Sequence, residues 1–220
     1  MARTVLDREI SRVVIVDDLI AARQSYELTV EDADLLPVPE EGPLPSLDAY
    51  VQQMRTRADA VLSDFKLTVK NYARFDGAEL VARAYDAGVP GVLCTRYEKA
   101  QLDEIRVYRD RIPVLVQPHD LDTETLVRSI ESAVHELDKG RPSSRKPWRT
   151  QVHVVEVDTA DGFFYVDLPG WDSSEIIRLR LKDLAESIRL HIKEDFRCHA
   201  QVNIGADSSD DLFFVDWEES

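Results

Sequence analysis

"RVVIVDD", residues 12–18, runs an apolar stretch into two adjacent aspartates. A strand that is apolar at every position has no solvent face. It belongs inside a sheet covered on both sides, as parallel sheets are. Two carboxylates side by side at its end repel each other unless a cation or a proton relieves them. The stretch therefore predicts a buried parallel strand ending at a charged rim.

Downstream the same kind of unit recurs. Residues 19–30 read as a helix carrying Ile20, Tyr26 and Leu28. "DLLPVP" (34–39) is a weaker strand, and its prolines place it at an edge. "SLDAYVQQMRTR" (46–57) opens on a serine cap and spaces Leu47, Tyr50, Val51 and Met54 helically. "DAVLSD" (59–64), "GVLCT" (91–95) and "IPVLVQP" (112–118) are further apolar strands. The segments 77–88, 98–111 and 122–140 read as the helices between and after them, and Gly88 and Gly140 close two of these. Five β-α units in succession argue a doubly wound five-stranded parallel sheet with right-handed crossovers.

Residues 141–150, "RPSSRKPWRT", break the pattern with two prolines, two serines and four basic residues, and read as a linker. Beyond it the period changes to two. "QVHVVEV", "FFYVDL", "EIIRLRL", "RCHAQVNIG" and "LFFVDWE" read as five strands, with a short helix within 182–196. They predict a small β-rich, barrel-like or half-barrel domain over 151–220, after a first domain over 1–140. The competing reading makes 173–195 one long helix.

Charge narrows the function. The net charge is −15. Residues 1–140 hold 17 basic and 26 acidic side chains, and residues 151–220 hold 6 and 16. Both parts should repel phosphate backbones, which argues against nucleic acid as a partner. The basic linker is best read as solvated. No apolar run approaches a membrane span. The N-terminus is charged throughout, and Cys94 and Cys198 stand far apart in sequence. A cytoplasmic protein without a disulfide framework is the expectation. His191 and His199 sit among apolar residues and read as packed or half-exposed side chains rather than ligands, and Trp148, Trp171, Trp217, Phe163, Phe164, Phe213 and Phe214 read as this small domain's core, with some exposed.

In an open parallel sheet, function gathers at the carboxyl ends of the strands. Those ends here are Asp17-Asp18, Asp64, Thr95 and Gln117-Pro118. With strand order 2-1-3-4-5 the first and third strands are neighbours, so three aspartates converge. Such a cluster suits magnesium, which prefers carboxylate and water oxygens.

At these residues the sequence resembles the receiver domain of response regulators in two-component signalling. The resemblance covers about residues 11–140 and rests on "VVIVDD", "AVLSDFKL", "DGAELVARAYDAGVPGVLCT" and "IPVLVQP". It implies a flavodoxin-like receiver in which Asp17, Asp18, Asp64 and the Lys66 carbonyl hold Mg2+. It implies that Asp64 accepts a phosphoryl group from a histidine kinase, and that Thr95 is the switch residue. The expected partner is that kinase or an effector protein, and the expected role is signalling rather than catalysis.

Three departures stand out. Gln117 replaces the lysine that the family carries before Pro118, removing an ammonium from the acceptor site. Lys66, Lys70 and Arg96 are the nearest replacements in sequence. The loop from Asp64 to Gly77 is longer than usual, and Leu115 and Val116 stand where the family has a switch aromatic. Two alternatives follow: a degenerate receiver acting as an unphosphorylated adaptor, and a phosphate-ester hydrolase using the same carboxylates. The hydrolase lacks both a D-x-D pattern and a glycine-rich phosphate loop.

Overall fold

The computed structural model describes residues 3–68, 71–96 and 99–219. By internal contacts the chain forms two units. The first takes residues 1–97 and 111–140, and the second takes 98–110 and 141–220.

The first unit opens with a hairpin of β1 (Arg3–Val5) and β2 (Arg8–Ile10) that the sequence reading did not anticipate. Three residues per strand leave too little periodicity to read. Then come β3 (Arg12–Val16), α1 (Ile20–Asp32), β4 (Leu36–Pro39), α2 (Leu47–Arg57), β5 (Ala60–Ser63), α3 (Gly77–Asp86) and β6 (Gly91–Cys94). After α4 (Lys99–Arg106), which belongs to the second unit, β7 (Val114–Val116) and α5 (Thr123–Lys139) complete it. The sheet order is β4-β3-β5-β6-β7, all parallel, as expected for the doubly wound order.

The run 13–16 shows why this sequence makes this sheet. Alternate side chains of a strand leave opposite faces. Val13 and Ile15 pack with Tyr26 and Val30 of α1 and with Leu126 and Ile130 of α5. Val14 and Val16 pack with Tyr50 and Met54 of α2 and with Leu80 and Ala84 of α3. Both faces are thus sealed. Each fully buried valine contributes about 1.5–3 kcal/mol relative to exposure.

The second unit is an antiparallel sheet of β8 (Trp148–Asp158), β9 (Phe163–Leu168), β10 (Asp172–Arg180), β11 (Arg197–Val202) and β12 (Phe214–Glu219). Its order is β10-β9-β8-β11-β12. It is open, with β10 and β12 as edges. The long-helix alternative for 173–195 is overturned. Ile177 and Leu179 are buried on one face of β10, and the helical part shrinks to α6 (Glu186–Arg189).

The sequence suggested that the helix after Thr95 belongs with the first sheet. In the structure it groups with the second unit and contacts β10 and the turn at 209–211. Arg106 of α4 donates to the carbonyls of Ser209 and Leu212, each at 2.7 Å. Asp103 pairs with Arg178 at 2.5 Å. Arg109 pairs with Asp211 at 2.7 Å. Arg145, from the expected linker, donates to the carbonyls of Arg109 and Asp110 at 3.1 Å. No described helix is long and apolar enough to cross a membrane.

Candidate functional site

Strand register brings the candidate residues to one rim. Val16 of β3 lies opposite Ser63 of β5, Ser63 opposite Leu93 of β6, and Cys94 opposite Val116 of β7. Asp17, Asp64, Thr95 and Gln117 each follow one of these strands, so they share the carboxyl edge. Asp64 N–H donates to the Val16 carbonyl at 2.9 Å, and Thr95 N–H to the Val116 carbonyl at 3.0 Å. These bonds carry the register past the strand ends.

Asp17 is buried, and its Oδ1 accepts the Leu19 N–H at 2.7 Å. Burial pushes its pKa up to about 6, and the nearby Asp64 and Asp18 carboxylates push the same way. The Asp64 carboxyl is also raised, chiefly by burial, with Asp18 adding to it. Hydrogen bonds from the Phe65 and Lys66 backbone and from Thr95 oppose that rise, and the Lys66 N–H lies 3.0 Å from Oδ2. The structure thus brings together the three aspartates and the Thr95 side chain.

Asp18 carries the orphan. Its Oδ2 is buried and has no hydrogen-bond partner among the described residues. An unpaired buried carboxylate oxygen costs free energy unless a proton or cation meets it. Among the described residues, no group of three or more acid, histidine or cysteine side chains stands in an arrangement that could hold a metal ion. The donors at this rim are carboxylate oxygens, the kind a hard cation prefers.

Gln117 and Pro118 sit half-buried at the end of β7. Among the described residues no hydrogen bond joins the Gln117 side chain to Asp64. Lys66 and Arg96 are exposed, and Lys70 lies outside the described residues. The cation beside the cluster is one that sequence reasoning missed, Arg23 of α1. It is buried, its Nη1 donates to the Asp17 carbonyl, and its guanidinium lies 5.8 Å from the centre of the Tyr72 ring. Arg23 shares a helical face with Tyr26 and Val30, and the structure buries that face.

Tyr72 belongs to the long loop after β5. Leu67, Ala73 and Phe75 of that loop are buried in the cluster on the α2/α3 side, and Phe65 is buried as well. Tyr72 Oη donates to the Glu40 carbonyl at 2.8 Å, and its own carbonyl accepts Leu44 N–H at 2.7 Å. The extra length of the loop is therefore packed down by its own apolar residues. At its end Asp76 and Glu79 form a reciprocal capping box that starts α3. Gly77 follows directly, against the Asp64 backbone.

A pH dependence follows from Asp17. In the unfolded chain the group loses its proton near 3.8, and in the folded, metal-free protein near 6. Between these values the native state binds more protons, so stability falls as pH rises through the window. The loss reaches about 3 kcal/mol at most. Urea unfolding in chelator at pH 4 and pH 7 should show it, and Asp17→Asn should flatten the difference. Equal pH dependence in wild type and variant would contradict this.

No protein-family model matches the chain, and no curated protein matches it. Solved structures do match over its first part. One is the signal receiver domain of a modulated diguanylate cyclase from Desulfovibrio desulfuricans G20. It is 22% identical with a TM-score of 0.47, covering 60% of this chain and 99% of that one. A response-regulator receiver domain protein from Methanospirillum hungatei JF-1 is 18% identical with a TM-score of 0.44, covering 60% and 99%. A receiver domain protein from Clostridium thermocellum is 11% identical with a TM-score of 0.44, covering 58% and 96%. Over about three-fifths of its length the chain is similar to solved response-regulator receiver domains, and the rest is a separate β-rich unit.

Proposed function

We propose that this chain is a response-regulator-like signalling protein in which Asp64 is the phosphoryl acceptor. One observation carries the reading: Asp17, Asp18 and Asp64 converge at one rim, with the Thr95 side chain beside the acceptor. Asp17, Asp18, Asp64 and the Lys66 carbonyl would hold Mg2+. When bound, the ion offsets the charge of the carboxylates and of the incoming phosphoryl group.

The chain's own residues do the rest. An Asp64 carboxylate oxygen attacks phosphorus of a phosphohistidine or acyl phosphate donor. The P–N or P–O bond breaks, the donor leaves with the electron pair, and an acyl phosphate remains on Asp64. The Thr95 hydroxyl, beside Asp64, then donates to a phosphoryl oxygen. The helix that follows it in the chain, α4, belongs to the second unit, which gives the switch a covalent route to the effector part. The proposed partners are a histidine kinase and the effector's own target.

Incubation with Mg2+ and acetyl phosphate, read by intact mass, tests the proposal. A base-labile phosphoryl adduct, absent in Asp64→Asn, is expected. No adduct in wild type would leave the adaptor reading, and repeated phosphate release from generic esters would leave the hydrolase. Because Gln117 brings no charge, Gln117→Lys should raise the adduct formation rate by about tenfold or more. An unchanged rate would mean that the lysine position plays no part in this site.

A further inference from the structure

The second unit carries a cavity that the signalling reading does not use. The edge strands β10 and β12 stand first and last in the sheet, yet both line it, so the sheet curls to bring its two free edges to one opening. Its volume is about 470 Å³, within the range of small-molecule sites. One wall is aromatic. Phe214 and Trp217 stack at 5.7 Å with their planes 14° apart, and Phe164 meets Trp217 edge-on at 6.1 Å. Leu179 and Leu184 add apolar surface. Across the opening, α4 and the residue after it contribute Asp103, Arg106 and Val107.

Three guanidinium groups line the cavity, and two are neutralised. Arg178 pairs with Asp103 at 2.5 Å, and Arg180 with Asp183 at 2.6 Å. Arg106 is different. Its Nη1 is held by two backbone carbonyls, and among the described residues no carboxylate lies within ion-pairing distance of it. Its Nε is buried with no hydrogen-bond partner. Burial disfavours its charge, and Asp103, Asp210, Asp211 and Glu175 offset this only in part and from a distance. The residue itself lines the cavity and is only half-buried, so an anionic group placed there would gain from this under-compensated charge. Asp216, exposed at the mouth, disfavours a multiply charged anion.

From this geometry we infer that the cavity binds a small organic monoanion with an aromatic body, its ring against Phe214 and Trp217 and its acidic group toward the Arg106 guanidinium. The inference does not depend on phosphorylation of Asp64.

Two naphthalene probes separate its parts. 1-Anilinonaphthalene-8-sulfonate has the aromatic body and one negative charge, and N-phenyl-1-naphthylamine has the same body without the charge. Titrated into the full chain, the sulfonate should bind at one equivalent and quench tryptophan emission by energy transfer. The uncharged amine should bind at least about tenfold more weakly. Arg106→Met should abolish the difference between the two probes, but this residue also holds the 209–212 segment. Val107→Trp fills the rim without touching that segment, and should remove sulfonate binding while leaving the thermal midpoint unchanged. Sulfonate binding that survives Val107→Trp, or none below millimolar, overturns the site. Equal affinity for the two probes in wild type overturns the anionic class.

Discussion

Gly77→Ala is expected to destabilise the first unit by about 3 kcal/mol or more. A Cβ at this position would stand 1.7 Å from the Asp64 carbonyl oxygen and 2.8 Å from its carbonyl carbon. Both are backbone atoms of the acceptor segment, so no flexible side chain can swing aside. The helix cannot slide away easily either. Its start is fixed by the Asp76–Glu79 box, and the Gly77 N–H donates to the Phe65 carbonyl at 2.7 Å. Relief must come from shifting α3 or the end of β5, and each shift moves the Asp64 carboxylate. The thermal midpoint should fall by roughly 6–12 °C, at about 2–4 °C per kcal/mol for a chain of this size. The acetyl phosphate adduct should fall with it. Gly88→Ala is the control. Gly88 has a positive φ of 76° but open space around the new methyl, so it should cost only about 1 kcal/mol. Equal midpoints for the two variants would contradict the close approach.

Arg106→Met should have an effect of similar size on the second unit. The side chain gives two hydrogen bonds at 2.7 Å to the carbonyls of Ser209 and Leu212. Hydrogen bonds from charged groups contribute about 1.5–3 kcal/mol each, and the abandoned carbonyls would lie beside Asp210 and Asp211. A loss of about 3 kcal/mol or more is expected, visible as an earlier transition in tryptophan fluorescence on urea unfolding, because all three tryptophans lie in the second unit. Arg106→Lys should recover less than half of it, because one ammonium cannot reproduce the planar fork. A methionine variant as stable as wild type would mean that α4 is held by other contacts.

The parallel sheet was legible because its signal is strong. Runs such as 13–16 and 91–94 are apolar on both faces, and their alternation onto two helix layers leaves few other arrangements. The acidic rim was legible for the same reason, since strand order places Asp17, Asp18 and Asp64 together. Arg23 escaped because a buried arginine on an apolar face looks, in sequence, like any exposed helical charge. The hairpin at 3–10 is too short to show a period. The position of α4 was least legible. Its apolar residues, Leu102 and Ile105, say that one face is buried but not what covers it, and the contacts that decide it come from residues 178 and 209–212. The long loop after β5 showed its length in the sequence, whereas its burial needed Tyr72 to meet Arg23 and Glu40.

The assignment of 98–110 to the second unit has a consequence for synthesis. The ribosome releases α4 long before it makes Asp172, where β10 begins, and longer still before the 209–212 segment. At about 5–20 residues per second the helix waits several seconds for its partners to be translated. During that interval the nascent chain carries α4 without the strands it packs against. The interleaving also means that no single cleavage frees both halves intact, because severing at 140 strands α4 on the wrong fragment.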